Sequence, residues 1–386
     1  MQQDFHYYAT YAAACLAGYS HEESLTIGYS DEMCDHFTPS FLEYINAPLE
    51  SATTQDNIDL ANSRTDRIGL QEITRIWASF HFLPGNLEAN PGRVSKGYRQ
   101  KYALICNPNG SLVADIVNCA KGESLQHVGI AMHTLADTWA HRYFAGTPSV
   151  VINNVPPGAV EIVTEDGRTF ERPITFGLST GGDDLKNSRY IASPYQPNES
   201  GIFNLGHGHC GHLPDYGFMR YRFKPSWGDY GEVLKDNPKE YYNAFCQMVY
   251  AMRYLRGDIS SFELDRYDYD LVAPYKDQID AILAKRQLDA SQDWKALGES
   301  ISGHQIDAFD ETRYINEYKG VSEAEKNDTF IGRFVLGALA QKSLVTNRIY
   351  RTGNRLAGRS IELIKDEVFK GIAAYRHLFE HRRGQL

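Results

Sequence analysis

The chain has 386 residues, a formal net charge of -10 and 42% hydrophobic residues, which is enough apolar material for a sizeable core. The acidic excess comes without a basic stripe, which argues against a surface that captures nucleic acid. No apolar run approaches the ~20 residues that cross a bilayer, so no transmembrane segment is expected. The opening residues lack the features of a secretory signal, which favours a cytoplasmic protein or export by a route without a cleavable signal.

Helical patterns dominate on both sides of one β-rich stretch. Residues 54–78 have mixed spacing and indicate a connection followed by a short strand or helix. Between 147 and 200, alternating apolar segments flank an Asp166-Gly167 turn, which predicts a β-hairpin. The segments with helical spacing or helix caps are 7–18, 20–36, 95–120, 124–143, 241–255, 277–300, 322–341 and 361–381.

These patterns predict a mainly α protein with a small β-rich insertion. We divide it into a helical core at 1–146, an insertion at 147–200, and a loop with C-terminal helices at 201–386, all within one integrated domain. Histidine is concentrated before residue 213, so any site is expected to be built by the first half of the chain and the loop that follows the insertion.

The sharpest motif places His133, Asp137 and His141 four residues apart. On a helix this spacing puts all three side chains on one face, and the residues between them are mostly apolar. A buried aspartate between two histidines is costly unless a cation pairs with it, and imidazole and carboxylate are suitable zinc ligands. The alternative is a hydrogen-bonded His-Asp-His ladder inside a helical core.

A second cluster lies in the glycine- and histidine-rich loop at 206–215. Glycines between histidines allow the chain to wrap around an ion. His207, His212 and Asp215 are the predicted ligands, with His209 in reserve. The alternative is a tight turn that carries surface histidines.

Three weaker signals accompany these clusters. Asp4 and His6 would project to one side of an extended segment. Asp31 and Asp35 share a helical face, where a carboxylate is placed to bridge two ions or to take a proton from water. His81 lies in an apolar, aromatic setting, where a satisfied core histidine is the alternative interpretation.

The stretch from Gly129 to His141 resembles the central helix of the zinc-dependent phospholipase C and fungal single-strand nuclease superfamily. In that superfamily an HxxxD helix supplies ligands to a trinuclear zinc site, with a further histidine shortly after it and an HxxxE/D element later. The opening residues 4–10 and the 206–215 loop also look like an uncharacterised bacterial family distantly related to it. The resemblance implies a multi-helix, phospholipase C-like fold.

The chain departs from the superfamily pattern at three points. Superfamily chains usually begin with a tryptophan whose amino group binds zinc. That tryptophan is missing here, so Asp4 and His6 are expected to replace it. The histidine after the HxxxD pair follows at four residues instead of five or six. The closing element, His212 to Asp215, has three-residue spacing.

The resemblance implies metal-dependent phosphodiester hydrolysis with two or three ions, with zinc as the expected metal and with Asp35 and Asp137 taking part in the reaction. A phospholipid-like substrate ranks ahead of nucleic acid because no basic stripe is present, so a nuclease is the second alternative. A structural metal site in a binding or effector module is the first. The predicted ligands are Asp4, His6, Asp35, His81, His133, Asp137, His141, His207, His212 and Asp215.

Overall fold

A computed structural model describes residues 1–178, 181–228 and 231–358 of the chain. Helices make up most of this structure, which confirms the mainly α class. The helices are α1 (Thr10–Leu16), α2 (His21–Glu32), α3 (Pro39–Ile45), α4 (Asn57–Asn62), α5 (Arg67–Phe80), α6 (Lys96–Tyr102), α7 (Ser111–Ala120), α8 (Leu125–Ala140), α9 (Asn237–Arg256), α10 (Tyr269–Val272), α11 (Lys276–Ala284), α12 (Ser291–Ser302), α13 (Thr312–Gly320) and α14 (Phe330–Arg351).

Helix α8 lies at the centre of the helical layer. The Ser124 side chain accepts a hydrogen bond from the His127 amide and starts the helix, as its sequence predicts. Every residue of α8 after Leu125 is buried, since α2, α9 and α14 pack around it. Gly129 permits the close approach of α2: an added Cβ would lie 2.5 Å from the Ile27 carbonyl oxygen.

The chain enters the core through a π-helical turn at Asp4–Ala9, not through the extended segment that the alternation of Asp4 and His6 predicted. A π-helical turn does not place residues two apart on the same side, so these two side chains diverge. Ser20 and Glu23 then form the reciprocal capping box that opens α2.

The β-rich part is a four-stranded antiparallel sheet in the order β2-β1-β5-β6, with the short parallel pair β3–β4 beside it. The predicted hairpin is present, since β1 and β2 pair around Asp166 and Gly167. The sheet extends past the expected boundary at residue 200, because β5 and β6 complete it. The strands are β1 (Val160–Glu165), β2 (Arg168–Pro173), β3 (Thr175–Gly177), β4 (Arg189–Ile191), β5 (Arg220–Phe223) and β6 (Val233–Asp236).

Two apolar clusters hold these parts together. The larger one fills the space between the helices, and the smaller one packs the sheet against the end of α8 through Phe82, Phe144 and Tyr221. The smaller cluster also contains Leu213, so the loop at 206–215 is held between sheet and helices.

Several helix bounds differ from the expectation. Residues 95–120 form two helices, α6 and α7, and residues 277–300 are divided between α11 and α12. The helix expected at 361–381 lies outside the described residues. Within the described ranges, none of the helices combines the length and apolar character that crossing a membrane requires.

Candidate metal centre

The structure brings His133, Asp137 and His141 together at the C-terminal end of α8. His133 and Asp137 lie in its last turns and His141 is its C-cap. Asp137 Oδ2 lies 3.4 Å from His133 Nε2 and 3.4 Å from His141 Nδ1. All three side chains are buried, so the polar face expected from the spacing is directed into the protein.

Three further elements bring side chains to Asp137. The N-terminal turn contributes His6, whose Nε2 lies 3.2 Å from Asp137 Oδ1. The end of α5 contributes its C-cap His81, with Nδ1 3.1 Å from Asp137 Oδ2. The 3-10 turn after α2 contributes Asp35, whose Oδ1 is 3.7 Å from His81 Nδ1. We refer to His6, Asp35, His81, His133 and Asp137 as the Asp137 group.

Hydrogen bonds to its outer atoms determine which atoms of this group face inward. His81 Nε2–H donates to the Thr53 carbonyl oxygen at 3.1 Å, and His133 Nδ1–H donates to Asp31 at 3.1 Å. Both acceptors lack a proton, so in the neutral rings His81 Nδ1 and His133 Nε2 carry lone pairs. Partner oxygens of this kind are a regular feature of histidines that bind metals.

These lone pairs converge. His81 Nδ1 and His133 Nε2 lie 3.2 Å apart, and Asp137 Oδ2 lies 3.1 and 3.4 Å from them. Asp35 Oδ1 completes a four-atom set at 3.7 Å from the first ring and 4.0 Å from the second. Ligands on a tetrahedral zinc ion, with bonds of about 2.0–2.1 Å, lie about 3.3 Å apart. Acceptors this close repel one another unless a cation lies between them, so the set fits a metal ion.

The ring nitrogens of His6 are a second indication of metal binding. Its side chain is fully buried, and neither ring nitrogen makes a hydrogen bond within the described part of the chain. Buried polar atoms are rarely left without a partner. A ligand at Nε2, which faces Asp137 and Asp35, would supply one.

The second assembly, the Asp215 group, consists of His141, His207, His212 and Asp215. Asp215 Oδ1 lies 3.0 Å from His141 Nε2, and its Oδ2 lies 3.5 Å from His207 Nε2 and 3.0 Å from His212 Nδ1. His141 Nδ1–H donates to the His81 carbonyl oxygen at 2.6 Å. His207 Nδ1–H donates to the Gly211 carbonyl oxygen at 2.7 Å. Their Nε2 atoms therefore face Asp215, in the same pattern as the first group.

The amino group of Met1 lies between the two groups. It donates to Asp137 Oδ1 at 2.6 Å and lies 3.5 Å from both Asp215 Oδ1 and His141 Nε2. The loop at 206–215 therefore folds back onto α8, and the two carboxylates approach one common point. Burial would lower the pKa of this amino group, but the carboxylates of Asp137 and Asp215 raise it to about 11.

Charges within the centre shift its other pKa values strongly. Burial alone would raise the pKa of Asp137, but His141, the Met1 ammonium and His133 hold it well below its usual range. Burial would lower the pKa of His133, yet Asp137 and Asp35 raise it to about 10. Burial lowers the pKa of His207 to about 4. In the absence of an ion, a proton on His133 therefore balances the buried carboxylates.

The family model that matches this chain covers residues 1–349. The chain belongs to the DUF6765 family. This is a family of unknown function, so membership assigns no activity. No curated protein and no solved structure matches the chain. The two groups of side chains lie entirely within the matched part.

Two predicted residues take no part in either group. Asp4 accepts hydrogen bonds from the amides of Phe5 at 2.7 Å and Ala290 at 3.0 Å, and burial raises its pKa to about 6. It therefore anchors the N-terminal turn to the start of α12. The reserve ligand His209 hydrogen-bonds Asn204 through Nε2 at 2.6 Å.

Two groups that contact the centre are not predicted from the sequence. The Met1 amino group is the first, although a ligand at His6 places the start of the chain within reach. The carboxylate of Asp31 is the second. Its spacing places it on the same helical face as Asp35, but in the structure it contacts His6 and His133. The four-residue spacing between Asp31 and Asp35 indicates that both aspartates lie near the site. It does not show that their side chains make different contacts.

Each group has a side chain with substantial solvent exposure. The side chain of Asp35 is 34% exposed and that of His212 is 55% exposed. The other members of the Asp137 group are buried. Solvent therefore reaches each group at one of these two side chains.

Proposed function

We propose that this DUF6765 protein is a metal-dependent phosphodiester hydrolase that binds two or three divalent ions, with zinc as the favoured metal. The convergence of His81, His133, Asp137 and Asp35 on one point is the observation that carries the proposal. The Asp215 group offers a second set of ligand atoms beside it. The resemblance of the α8 motif to the phospholipase C and nuclease superfamily supports the same reaction.

Divalent ions bound here would supply positive charge for a phosphate and would lower the pKa of water. The protein contributes the arrangement around them. Asp35 lies at the exposed edge, with one oxygen toward His81 and the other 3.9 Å from His6 Nε2. Its carboxylate is placed to accept a proton from a water that enters from solvent. Asp137 holds the two groups together, since its oxygens face different members of the centre.

For the substrate, a phospholipid-like diester is favoured over nucleic acid. The chain is acidic overall, with a formal net charge of -10, so it lacks the electrostatic attraction on which nucleic-acid binding depends. Ions in the centre would bind a single phosphate group without a basic surface around it. A small diester head group is the ligand that this arrangement fits.

The decisive experiment uses zinc-loaded protein and bis(p-nitrophenyl) phosphate. Wild type is expected to hydrolyse the diester, and a chelator should abolish the activity. Asp35→Asn should lower kcat about 100-fold or more at matched metal content, because with little change of shape it removes a carboxylate that is both a candidate general base and a candidate ligand. Asp115→Asn is the matched control, since Asp115 has similar exposure and pairs with Arg348 at 2.9 Å on α7 and α14. A metal-loaded wild type without activity on generic diesters, phospholipids and nucleotides would refute the hydrolase.

A structural metal site is the second candidate, because the Asp137 group already offers four converging protein ligands and because His6, His133 and Asp137 are buried. Structural zinc sites are closed by four protein ligands, whereas catalytic sites keep an open position. Inorganic phosphate added to cobalt-substituted protein distinguishes the two. A change in the visible spectrum indicates an open position and supports the hydrolase, while an unchanged spectrum supports the structural role.

A further inference from the structure

A buried carboxylate lies behind the Asp137 group and contacts two of its histidines with one oxygen. Asp31 Oδ1 accepts a hydrogen bond from His133 Nδ1–H at 3.1 Å and lies 2.7 Å from His6 Nδ1. The second contact is short but out of line for a hydrogen bond. The two rings stack with centroids 4.0 Å apart, so both imidazoles are held against the same carboxylate.

The other oxygen of Asp31 is also engaged. Thr10 Oγ1–H donates to Asp31 Oδ2 at 2.6 Å, and the whole aspartate is buried. Every group that contacts the carboxylate is therefore able to donate a proton to it. Because a carboxylate oxygen accepts only, the protons of both neutral rings lie on Nδ1.

The Nε2 atoms of both rings consequently face Asp137. His6 Nε2 lies 3.2 Å from Asp137 Oδ1, and His133 Nε2 lies 3.4 Å from Asp137 Oδ2. Since Oδ1 and Oδ2 face different parts of the centre, the two histidines serve different sides of Asp137. On the opposite side both rings contact Asp31.

We infer that Asp31 is a positioning residue, which holds His6 and His133 with Nε2 toward the metal ions and does not itself bind a metal. The three residues lie close enough to form a ligand set of their own. That set would require an ion at the Nδ1 atoms, where Asp31 already accepts the hydrogen bond of His133 and closely contacts His6. The inference rests on the metal binding of the proposed function, but not on hydrolysis.

The Asp215 group does not depend on this carboxylate. His141 and His207 direct their Nδ1–H groups to backbone carbonyl oxygens, at 2.6 and 2.7 Å. A change at Asp31 should therefore weaken ion binding in the Asp137 group and leave the Asp215 group nearly unaffected. A general loss of structure would weaken both.

The experiment compares the zinc affinities of wild type and Asp31→Asn by competition with a chromophoric chelator. Asparagine keeps the shape but presents an NH₂ group toward a donor. One class of sites should lose affinity by about 10–100-fold, the usual effect of removing such a partner, while a second class stays within about twofold. In the cobalt-substituted protein, the visible bands of only one class should change.

Glu161→Gln is the matched control. Glu161 is also a fully buried carboxylate, and it accepts hydrogen bonds from Ser188 at 2.5 Å and Tyr190 at 2.8 Å in the β-rich part. Its loss should reduce thermal stability without changing either zinc affinity. Thr10→Val removes only the hydrogen bond from Thr10 to Asp31 and is therefore a milder change. It should lower the zinc affinity of the same class of sites as Asp31→Asn, by a smaller factor.

The outcomes separate this inference from the proposed function. A wild type that binds no divalent ion removes the basis of both. A wild type that binds ions, with an Asp31→Asn variant that binds them equally well, overturns the positioning role alone. Equal losses in both classes of sites also overturn it, because they indicate a structural role. If Asp31→Asn does not fold, the zinc affinities of Thr10→Val are compared with those of wild type instead, and the same outcomes support or overturn the positioning role.

Discussion

The Asp137 group and the Asp215 group use the same chemistry on different kinds of backbone. The Asp137 group is built by helix ends and short helical turns that pack around α8, and Asp31 on α2 holds two of its rings. The Asp215 group is built mainly by a loop, with His141 added from the end of α8, and backbone carbonyl oxygens hold the rings of His141 and His207. Regular packing therefore positions the first group, whereas local chain conformation positions the second.

This difference indicates how each group responds to change. Ligands of the Asp137 group belong to the main core, so their positions depend on the close approach of α2 and α8 at Gly129. Ligands of the Asp215 group depend on Gly211, whose φ is 55°, and on contact with the sheet. Perturbing one group should leave the other in place, except where a residue belongs to both.

Asp137 is the residue that should break this independence. It contacts His6, His81 and His133 of its own group, His141 of the Asp215 group and the Met1 amino group, so Asp137→Ala should remove bound metal from both groups. The buried ammonium would lose its closest carboxylate, which costs about 3–5 kcal/mol of stability. Metal analysis and urea denaturation of the variant measure the two effects. A variant that keeps full metal content contradicts the central role of Asp137.

Asp215→Asn should separate the groups. His141, His207 and His212 would lose their shared carboxylate, while the set formed by Asp35, His81, His133 and Asp137 remains. Zinc stoichiometry should fall by one ion, and the remaining ion should keep its affinity within about threefold. Loss of all metal would show that the two groups do not bind independently.

Gly129→Ala tests the helical packing behind the Asp137 group. The new Cβ would lie 2.5 Å from the Ile27 carbonyl oxygen and from Ser30 Cβ, so α2 and α8 must move apart. Overpacking of this kind costs about 1–3 kcal/mol, and the movement should separate Asp31 from His133. Gly97→Ala in α6 meets nothing within 4 Å and is the control, for which a small gain in stability is expected. Equal stabilities of the two variants would contradict the argument.

Gly211→Ala is the corresponding test of the loop. Its φ of 55° is unfavourable for alanine, and the added Cβ would lie 1.9 Å from the Ile191 carbonyl oxygen. The expected cost is about 1–3 kcal/mol, with a weaker zinc affinity in the Asp215 group alone. Gly303→Ala has a φ of 72° and open space around it, so it isolates the backbone strain. If both variants bind zinc equally well, the loop conformation does not position His207.

The sequence predicted the Asp137 group better than its surroundings for a physical reason. Helical periodicity places His133, Asp137 and His141 on one face before any tertiary contact is known. The π-helical turn at Asp4–Ala9 has no such signature, so Asp4 was assigned to the centre although it binds two backbone amides elsewhere. The Met1 amino group and the Asp31 contacts depend on how separate segments pack, which spacing along the chain does not show.

The boundaries of the β-rich part show the same limit. The Asp166-Gly167 turn identified the hairpin, because that pair favours a left-handed conformation, and both residues have positive φ. Strands β5 and β6 are four residues each and carry no comparable turn signal. Strand β5 pairs with β1 across a long sequence separation and β6 pairs with β5, so the predicted insertion ended too early.

The last comparison concerns pH dependence, which is expected to differ between the two groups. The pKa of His133 in the ion-free fold is raised to about 10, above the ordinary value of 6.5, because Asp137 and Asp35 outweigh its burial. A proton on His133 therefore stabilises the ion-free fold. This stabilisation is fully present below pH 6.5 and is lost as the pH rises toward 10. Burial lowers the pKa of His207 to about 4, so His207 is neutral throughout this range.

Chelator-treated protein should therefore lose stability to urea between pH 7 and 10, while the stabilisation by zinc increases over the same range because the ion replaces the proton. His133→Gln should lose part of this dependence, because the Met1 ammonium and His36, with pKa values raised to about 11 and about 10, contribute over the same range, and His207→Gln should retain all of it. Urea midpoints at pH 7, 8.5 and 10, with and without chelator, measure the effect. A chelator-treated wild type whose stability does not fall above pH 7, or a His207→Gln variant that loses the dependence, would show that the charge balance of the Asp137 group does not rest on His133.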